Sequence, residues 1–150
     1  MEYAIENEYL IVTVTTWGAQ VKSVVRKFDD VEHMWQADKS VWGYHAPILF
    51  PHTGKVVDDL IETKGEVYQA KQHGFARLME HTMVRQTEDT IVMELRSSEE
   101  TLRIFPYAFR LVSTFTLDGD TLQHKLTVEN WDADKLYFGI GYHPVSYTHL

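Results

Sequence analysis

Histidine is the residue type with the widest choice of chemistry in this sequence, which contains eight histidines and no cysteine. The lack of cysteine excludes disulfides, thiolate catalysis, and zinc or iron–sulfur sites built on cysteine. The histidines form no H-E-x-x-H motif and no pair at the spacing of metal ligands, so we predict neither a metal site nor a cofactor. Gly54 and Lys55 lack the upstream glycines of a phosphate-binding loop, and no G-x-S-x-G nucleophile elbow occurs.

His143 ends a run of alternating residues, 136–143, in which Gly139 and Gly141 share its face of a predicted strand. Two glycines on that face would leave an open floor beside the imidazole. An imidazole with the ordinary pKa of about 6.5 can donate a proton near neutral pH. The alternative is structural: the glycines admit another strand at close range, and His143 caps the edge of the sheet. The spacing alone leaves both interpretations open.

A second candidate site lies in residues 72–77, where His73 and Arg77 flank a Gly-Phe-Ala turn. The Arg77 guanidinium can donate two parallel hydrogen bonds to sugar hydroxyls or to a phosphate, and His73 can bond a hydroxyl or a ring oxygen. Alternatively, Arg77 forms a surface ion pair with Glu80. Lys55, considered alone, is a solvated loop charge.

Composition and charge limit the classes of partner. The 150 residues carry 14 Lys and Arg against 22 Asp and Glu, a net charge of −8, which argues against nucleic acid as a partner. No apolar run approaches the length of about 18 residues that a membrane span requires, so we expect no membrane association. Residues 1–9 carry three glutamates and no basic residue, unlike a secretory signal, and we expect a cytoplasmic protein.

The elements that must position these residues are predicted to be β-strands, because hydrophobic residues alternate with a period of two. Five residues of 109–117 share one face: Phe109, Leu111, Ser113, Phe115 and Leu117. The same pattern occurs in residues 10–15 and 91–96, and again in 122–129 after the turn Asp118-Gly119-Asp120. We therefore predict an all-β fold with very little helix, an antiparallel β-sandwich, whose last third is a three-strand meander ending in residues 136–143.

Helix signals are short. Residues 97–100 have the S-x-x-E form of a capping box, and Pro106 limits that helix to two turns. Asp38 is predicted to cap a single turn. Residues 42–77 lack steady alternation, and such an irregular segment on a β scaffold is where binding groups usually lie. The four tryptophans are expected in the core rather than at a ligand.

Four motifs occur in a fixed order along the chain. They are Trp-Gln-Ala-Asp at 35–38, Val-Trp-Gly-Tyr-His-Ala-Pro-Ile-Leu-Phe-Pro at 41–51, Gln-His-Gly-Phe-Ala-Arg at 72–77, and Gly-Tyr-His-Pro at 141–144. In their order, intervals and β setting they resemble the aldose 1-epimerase (galactose mutarotase-like) family, most of all its LacX-type bacterial branch. The resemblance extends from Ile5 to Pro144.

This resemblance implies a β-supersandwich that binds a hexose and interconverts its α and β anomers. It implies that His143 is the general acid and that His73 holds a sugar hydroxyl and the ring oxygen. Where relatives carry Gly-Arg after the Phe-Pro segment, this chain has Gly54 and Lys55. Lysine keeps the positive charge but loses the bidentate fork of arginine, so Lys55 is a weaker candidate for substrate binding.

The end of the chain departs from the family. Family members continue beyond the His-Pro motif, and their general base is a glutamate in that later part, whereas this chain ends six residues after Pro144. We expect residues 1–144 to form the N-terminal portion of a mutarotase-like domain, with 145–150 as an atypical tail. The chain would then be a catalytically incomplete fragment, unless Asp58, Asp59 or Glu62 serves as the base.

Two other functions stay open at this point: a non-catalytic carbohydrate-binding β domain that uses His73 and Arg77, and a structural fragment without a ligand. The expected ligand is a hexose or a hexose phosphate, with a marginal preference for the neutral sugar. Part of a sandwich also leaves sheet edges uncovered, and such edges favour homo-oligomers or aggregates.

Overall fold

A computed structural model describes residues 1–147 and contains two four-stranded antiparallel sheets. The strands are β1 (Glu2–Glu6), β2 (Leu10–Thr15), β3 (Gln20–Arg26), β4 (Val31–Glu32), β5 (Ile48–Leu49), β6 (Leu60–Thr63), β7 (Glu66–Gln69), β8 (Thr82–Gln86), β9 (Thr90–Arg96), β10 (Phe109–Asp118), β11 (Thr121–Asn130) and β12 (Gly141–Tyr142). One sheet has the order β1-β2-β3-β4 and the other the order β11-β10-β9-β8, while β5 pairs with β12 and β6 with β7.

The two sheets share one hydrophobic core. Val12, Val14 and Val21 from the first sheet belong to the same buried cluster as Met93 and Phe115 from the second. The alternation seen in the sequence accounts for this packing, because Phe109, Leu111, Ser113, Phe115 and Leu117 are all buried. The predicted all-β, antiparallel sandwich with very little helix is confirmed.

The C-terminal meander is only partly as predicted. The β10–β11 hairpin forms across Gly119, which adopts a φ of 57°. Residues 136–143, however, do not add a third strand to β11: within them only β12 is a strand, and it pairs with β5. Gly139 donates its N–H to the carbonyl of Pro51 at 2.7 Å, which draws this segment onto the irregular middle of the chain. The third strand of the meander was therefore a wrong prediction.

The helical predictions need one correction. The short helix α1 spans Glu99–Leu102, but its N-cap is Ser98, whose hydroxyl accepts from the N–H of Thr101. The capping box is therefore Ser98 with Thr101, one residue later than the predicted pair of Ser97 and Glu100. The turn capped by Asp38 is confirmed, since its Oδ1 accepts from the N–H of Ser40 at 2.8 Å. No helix in residues 1–147 is long and apolar enough to cross a membrane.

Aromatic packing anchors the irregular middle segment to the sandwich. Phe50, at the end of β5, is fully buried, with ring centroids 5.1 Å from Phe109 and 6.1 Å from Phe75. The tryptophans do not belong to this core: Trp17 and Trp131 are about half exposed, at 47% and 49%. The expectation of core tryptophans was wrong, because phenylalanines, which carry no polar atom, fill the interior.

Residues 145–147, the first part of the predicted tail, bond to backbone groups in the N-terminal half of the chain. Val145 donates its N–H to the carbonyl of His45 at 3.0 Å, and Tyr147 donates to the carbonyl of His33 at 2.8 Å. Residues 148–150 lie outside the described residues. The boundary proposed at residue 144 stays a prediction.

Candidate functional site

His73 is positioned by a turn with unusual backbone geometry. His73 and Gly74 are both left-handed, with φ values of 67° and 69°. Gly74 also lies against the chain at Phe50, where a β-carbon would be 2.2 Å from the Phe50 carbonyl oxygen. Only glycine fits that approach, so the Gly following His73 is required by packing as well as by backbone conformation.

Two reciprocal hydrogen bonds join His73 to Gly54. The His73 N–H donates to the Gly54 carbonyl at 2.9 Å, and the Gly54 N–H donates to Nδ1 of His73 at 2.9 Å. Because Nδ1 accepts a hydrogen bond, the proton of the neutral ring is on Nε2. The amide nitrogen of Gln72 lies 3.3 Å from Nε2, and because both are then donors, this contact does not use the Nε2 proton. His73 therefore offers a donor on its outer nitrogen.

The electrostatic surroundings keep His73 neutral. Partial burial is the largest influence that lowers the pKa of His73, and the charge of Arg77 lowers it further, followed by those of His143 and His52. The Arg77 guanidinium lies beside the turn of His73, since its Nη2 donates to the carbonyl of Gln72. A neutral imidazole with one fixed N–H is suited to hydrogen bonding rather than to ion pairing.

Arg77 lies over an aromatic ring rather than in an ion pair. The one-turn 3₁₀ helix Ala76–Leu78 carries it. Its guanidinium carbon is 5.0 Å from the ring centroid of Tyr44, and Nη2 donates to the Gln72 carbonyl at 3.1 Å. Within residues 1–147 it makes no ion pair with Glu80, so the surface-pair alternative is not what the structure contains.

His143, which is distant in the sequence, lies in the same region as Tyr44 and Arg77. It follows β12, donates its N–H to the carbonyl of Pro47 at 3.1 Å, and has an exposed side chain. Its ring centroid is 5.1 Å from that of Trp42, and the Trp42 ring is 5.7 Å from Tyr44. We call these residues together the histidine–aromatic cluster: Trp42, Tyr44, His73, Arg77 and His143.

The glycines before His143 serve close packing rather than an open floor. A β-carbon on Gly141 would be 3.0 Å from Cγ2 of Thr53, and one on Gly139 would be 3.4 Å from Cα of His52. The space beside Gly141 is therefore filled rather than open, while the role of His143 stays a prediction. The close packing still helps to place His143, because the tight contact fixes the segment on which the imidazole lies.

Lys55 lies next to Gly54, but its ammonium group lies near Asp59 rather than in the histidine–aromatic cluster. Its Nζ is 3.8 Å from a carboxylate oxygen of Asp59, and its side chain is exposed. The structure thus brings together His73, Arg77 and His143, and it leaves the Lys55 ammonium paired outside the cluster. A role for Lys55 in binding stays a prediction.

The three acids considered as bases lie on the small hairpin and its approach. Asp58 is exposed and its backbone is left-handed. Asp59 pairs with Lys55. Glu62, on β6, lies opposite Val67 on β7. No carboxylate among residues 1–147 forms an ion pair with a histidine. In the same residues, no group of three or more His, Asp or Glu is arranged to hold a metal ion.

Sequence reasoning missed three residues of this region: Trp42, Tyr44 and His52. Trp42 and Tyr44 lie within the second motif, but the sequence places Trp42 in the core. A usable signal was present, because Trp42 and Tyr44 flank a glycine immediately before the buried β5, which places them at the edge of the core. His52 had no signal beyond its position after Pro51.

Comparison with known proteins identifies the family of this chain. The model of the aldose 1-epimerase family matches residues 1–145. Protein LacX of Lactococcus lactis subsp. lactis, in its plasmid and chromosomal forms, is 33% identical over 151 residues that cover 96% of this chain and 50% of the relative. The chain therefore spans about half the length of the curated relatives it matches.

Two solved structures are similar in fold and sequence. A galactose mutarotase related enzyme from Lactobacillus acidophilus superimposes with a TM-score of 0.94 at 36% identity, over 96% of this chain and 48% of that protein. A galactose mutarotase-like protein from Lactobacillus casei ATCC 334 gives a TM-score of 0.93 at 33% identity, over 96% and 49%.

Proposed function

This chain belongs to the aldose 1-epimerase family, and on that premise we propose that its histidine–aromatic cluster binds an aldohexose and supplies the proton donor for interconverting its α and β anomers. The observation that carries the proposal is convergence. Trp42, His73, Arg77 and His143 come from three separated parts of the sequence. Contacts at 5–6 Å link His143 to Trp42, Trp42 to Tyr44 and Tyr44 to Arg77, and Arg77 donates to the carbonyl of Gln72, next to His73.

The proposed reaction needs two proton transfers on one sugar. His143, in its protonated form, donates a proton to the ring oxygen while a base removes the proton of the C1 hydroxyl, and the bond between C1 and the ring oxygen breaks. The open-chain aldehyde rotates about C1–C2, and reclosure on the other carbonyl face returns the proton and gives the other anomer. The exposed position of His143 leaves its ring accessible to a sugar.

The remaining cluster residues would hold the sugar. Nε2–H of His73 would donate to a hydroxyl or to the ring oxygen, and Arg77 would donate to further hydroxyls through the nitrogen positions not bonded to Gln72. Trp42 would offer an apolar ring face to the C–H face of the hexose.

A neutral hexose suits this cluster better than a hexose phosphate. Arg77 already lies over the Tyr44 ring, and Lys55 is paired with Asp59, so the charge available for a phosphate is reduced. We therefore propose glucose or galactose as the test ligands, with galactose 6-phosphate as the comparison.

Binding is tested first, by calorimetry or NMR titration of the chain with each sugar. We expect saturable binding of the neutral hexoses, weakened about 10- to 100-fold in Arg77→Gln, because hydrogen bonds from a charged donor contribute about 1.5–3 kcal/mol. Arg85→Gln, a change at an exposed arginine on β8, is the control and should bind as the parent does. Equal affinities in both variants would contradict the role of Arg77.

Catalysis is tested separately, because a non-catalytic carbohydrate-binding domain is the second candidate. What favours it is the position of the three acids considered as bases: Asp59 pairs with Lys55, Asp58 lies beside it, and Glu62 lies on the small hairpin, outside the histidine–aromatic cluster. General acid–base assistance contributes about 10²–10⁴-fold and needs both groups, so we expect polarimetry of fresh α-glucose or α-galactose to show little acceleration beyond buffer. Strong acceleration that is lost in His143→Ala would instead identify a base among Asp58, Asp59 and Glu62.

A further inference from the structure

His52 lies directly behind the turn that carries His73 and contacts it through one ring nitrogen. Nε2 of His52 is 2.8 Å from the carbonyl oxygen of Lys71 and 3.2 Å from the N–H nitrogen of Gly74. The imidazole thus touches both ends of residues 71–74. None of the functions considered from the sequence used this residue.

The surroundings of His52 select one tautomer of its neutral ring. The Gly74 N–H also points at Nε2 from 3.2 Å, but its shorter bond, at 2.9 Å, is to the Lys71 carbonyl, so it does not depend on Nε2 as an acceptor. Nδ1 is buried and has no hydrogen-bond partner in residues 1–147. A proton on Nδ1 would be a buried donor without an acceptor, which is costly, so the proton belongs on Nε2 and donates to Lys71.

The turn needs such a restraint because its conformation is unfavourable. His73 is left-handed although it carries a side chain, and such a conformation persists only where the surrounding contacts hold it. On one side the two bonds between His73 and Gly54 hold the turn. On the other side, His52 holds the carbonyl of Lys71, where the turn begins.

We propose that His52 is a positioning residue for His73: by donating to the Lys71 carbonyl it holds residues 71–74 in the conformation in which His73 accepts from Gly54 and presents Nε2–H outward. The sugar-binding consequence rests on the proposed function, whereas the effect on His73 does not. His52 itself touches neither the reacting atoms nor, in this proposal, the sugar.

The test replaces His52 in two ways. Gln can place its amide N–H near the position of Nε2, whereas Asn is one bond shorter and reaches only the position of Nδ1. Their bulk and polarity are similar, so a difference between the two variants reports the bond to Lys71 rather than general damage. His52→Leu removes the donor altogether, and His33→Leu, a histidine outside the cluster, is the matched control.

The first readout is the His73 ring, followed by ¹⁵N–¹H NMR of the 150-residue chain without ligand. In the parent, in His52→Gln and in His33→Leu, we expect one tautomer, with Nδ1 unprotonated. In His52→Asn and His52→Leu we expect mixed tautomers and a pKa of His73 closer to its ordinary value. An unchanged His73 spectrum in folded His52→Asn would overturn the proposal, as would equal changes in the Asn and Gln variants.

The second readout is hexose affinity, which we expect to fall up to about tenfold in His52→Asn and to be retained in His52→Gln. If His73 responds as described but no variant binds hexose, the proposed function fails while the positioning role stands. If hexose binds and affinity is equal in the Asn and Gln variants, the positioning role fails while the proposed function stands.

Discussion

Gly54 and His73 exchange two hydrogen bonds of 2.9 Å, one between their backbones and one from the Gly54 N–H to Nδ1 of the imidazole. The pair ties the loop that follows β5 to the turn that precedes the Ala76–Leu78 3₁₀ helix. The second bond exists only while Nδ1 has a free lone pair. Protonation of His73 therefore breaks a bond between two loops, and the orientation of this side chain depends on its charge.

The first prediction concerns the pKa of His73. We expect a value below the ordinary 6.5, because burial and then the charge of Arg77 oppose protonation. Arg77→Gln should raise that pKa, since it removes a neighbouring cation, while Arg85→Gln should leave it unchanged. NMR titration of the imidazole C–H resonances measures both. A pKa of His73 that is the same in Arg77→Gln and the parent would show that the guanidinium does not act on this ring.

The second prediction compares two left-handed glycines. Gly54→Ala should cost about 1–2 kcal/mol of unfolding free energy, because its φ is 74° but nothing lies within 4 Å of the added carbon. Gly74→Ala should cost about 3 kcal/mol or more, because a β-carbon there would be 2.2 Å from the Phe50 carbonyl. Urea denaturation measures both. Similar costs would mean that the Phe50 segment moves freely.

Periodicity predicted the sandwich because β2 and β10 each bury one face. On β2, Leu10, Val12 and Val14 are buried while the residues between them are not. The same logic failed for residues 136–143, where alternation is just as regular. Their position is decided by contacts with Pro51, Leu49 and Thr53, which are distant in the sequence, and a local pattern cannot contain that information.

The sequence predicted the site residues that lie in recognisable motifs. It did not predict those whose position depends on tertiary packing. The resemblance singled out His73 and His143, and the residue types alone suggested Arg77. The contacts of Trp42 and Tyr44 depend on how residues 42–44 fold back beside β12. The general tendency of tryptophan to be buried led to the wrong prediction that Trp42 lies in the core. A role for His52 becomes visible only in the structure, where its ring contacts the turn at residues 71–74.

The third prediction is that the 150-residue chain associates with itself. Among residues 1–147, the ten-residue strand β11 pairs with β10 alone, and unpaired strand edges accept further strands. Light scattering after size exclusion should give a mass above 17.5 kDa. Thr127→Lys on β11 should reduce association, whereas Val57→Lys, on an exposed 3₁₀ turn, should not. A monodisperse monomer of the parent chain would contradict this prediction.

The fourth prediction concerns stability against acid and rests on His124, which lies between two aromatic rings. Its centroid is 4.2 Å from Phe115 and 4.6 Å from Tyr142. Burial lowers the pKa of His124 from 6.5 to about 4. Between these two pH values the unfolded chain binds more protons at His124 than the folded chain, so its contribution to stability is complete above pH 6.5 and is lost as the pH falls toward 4.

The loss attributable to His124 should be about 2–3 kcal/mol at pH 4, because each unit of pKa shift corresponds to about 1.4 kcal/mol. His124→Phe keeps an aromatic ring in the stack and removes the titrating group. We therefore expect the unfolding free energy of this variant to exceed that of the parent by an increasing margin as the pH falls from 6.5 to 4. His33→Phe is the control, and urea denaturation at several pH values is the measurement. Parallel curves for the parent and His124→Phe would show that His124 is protonated without cost in the folded chain.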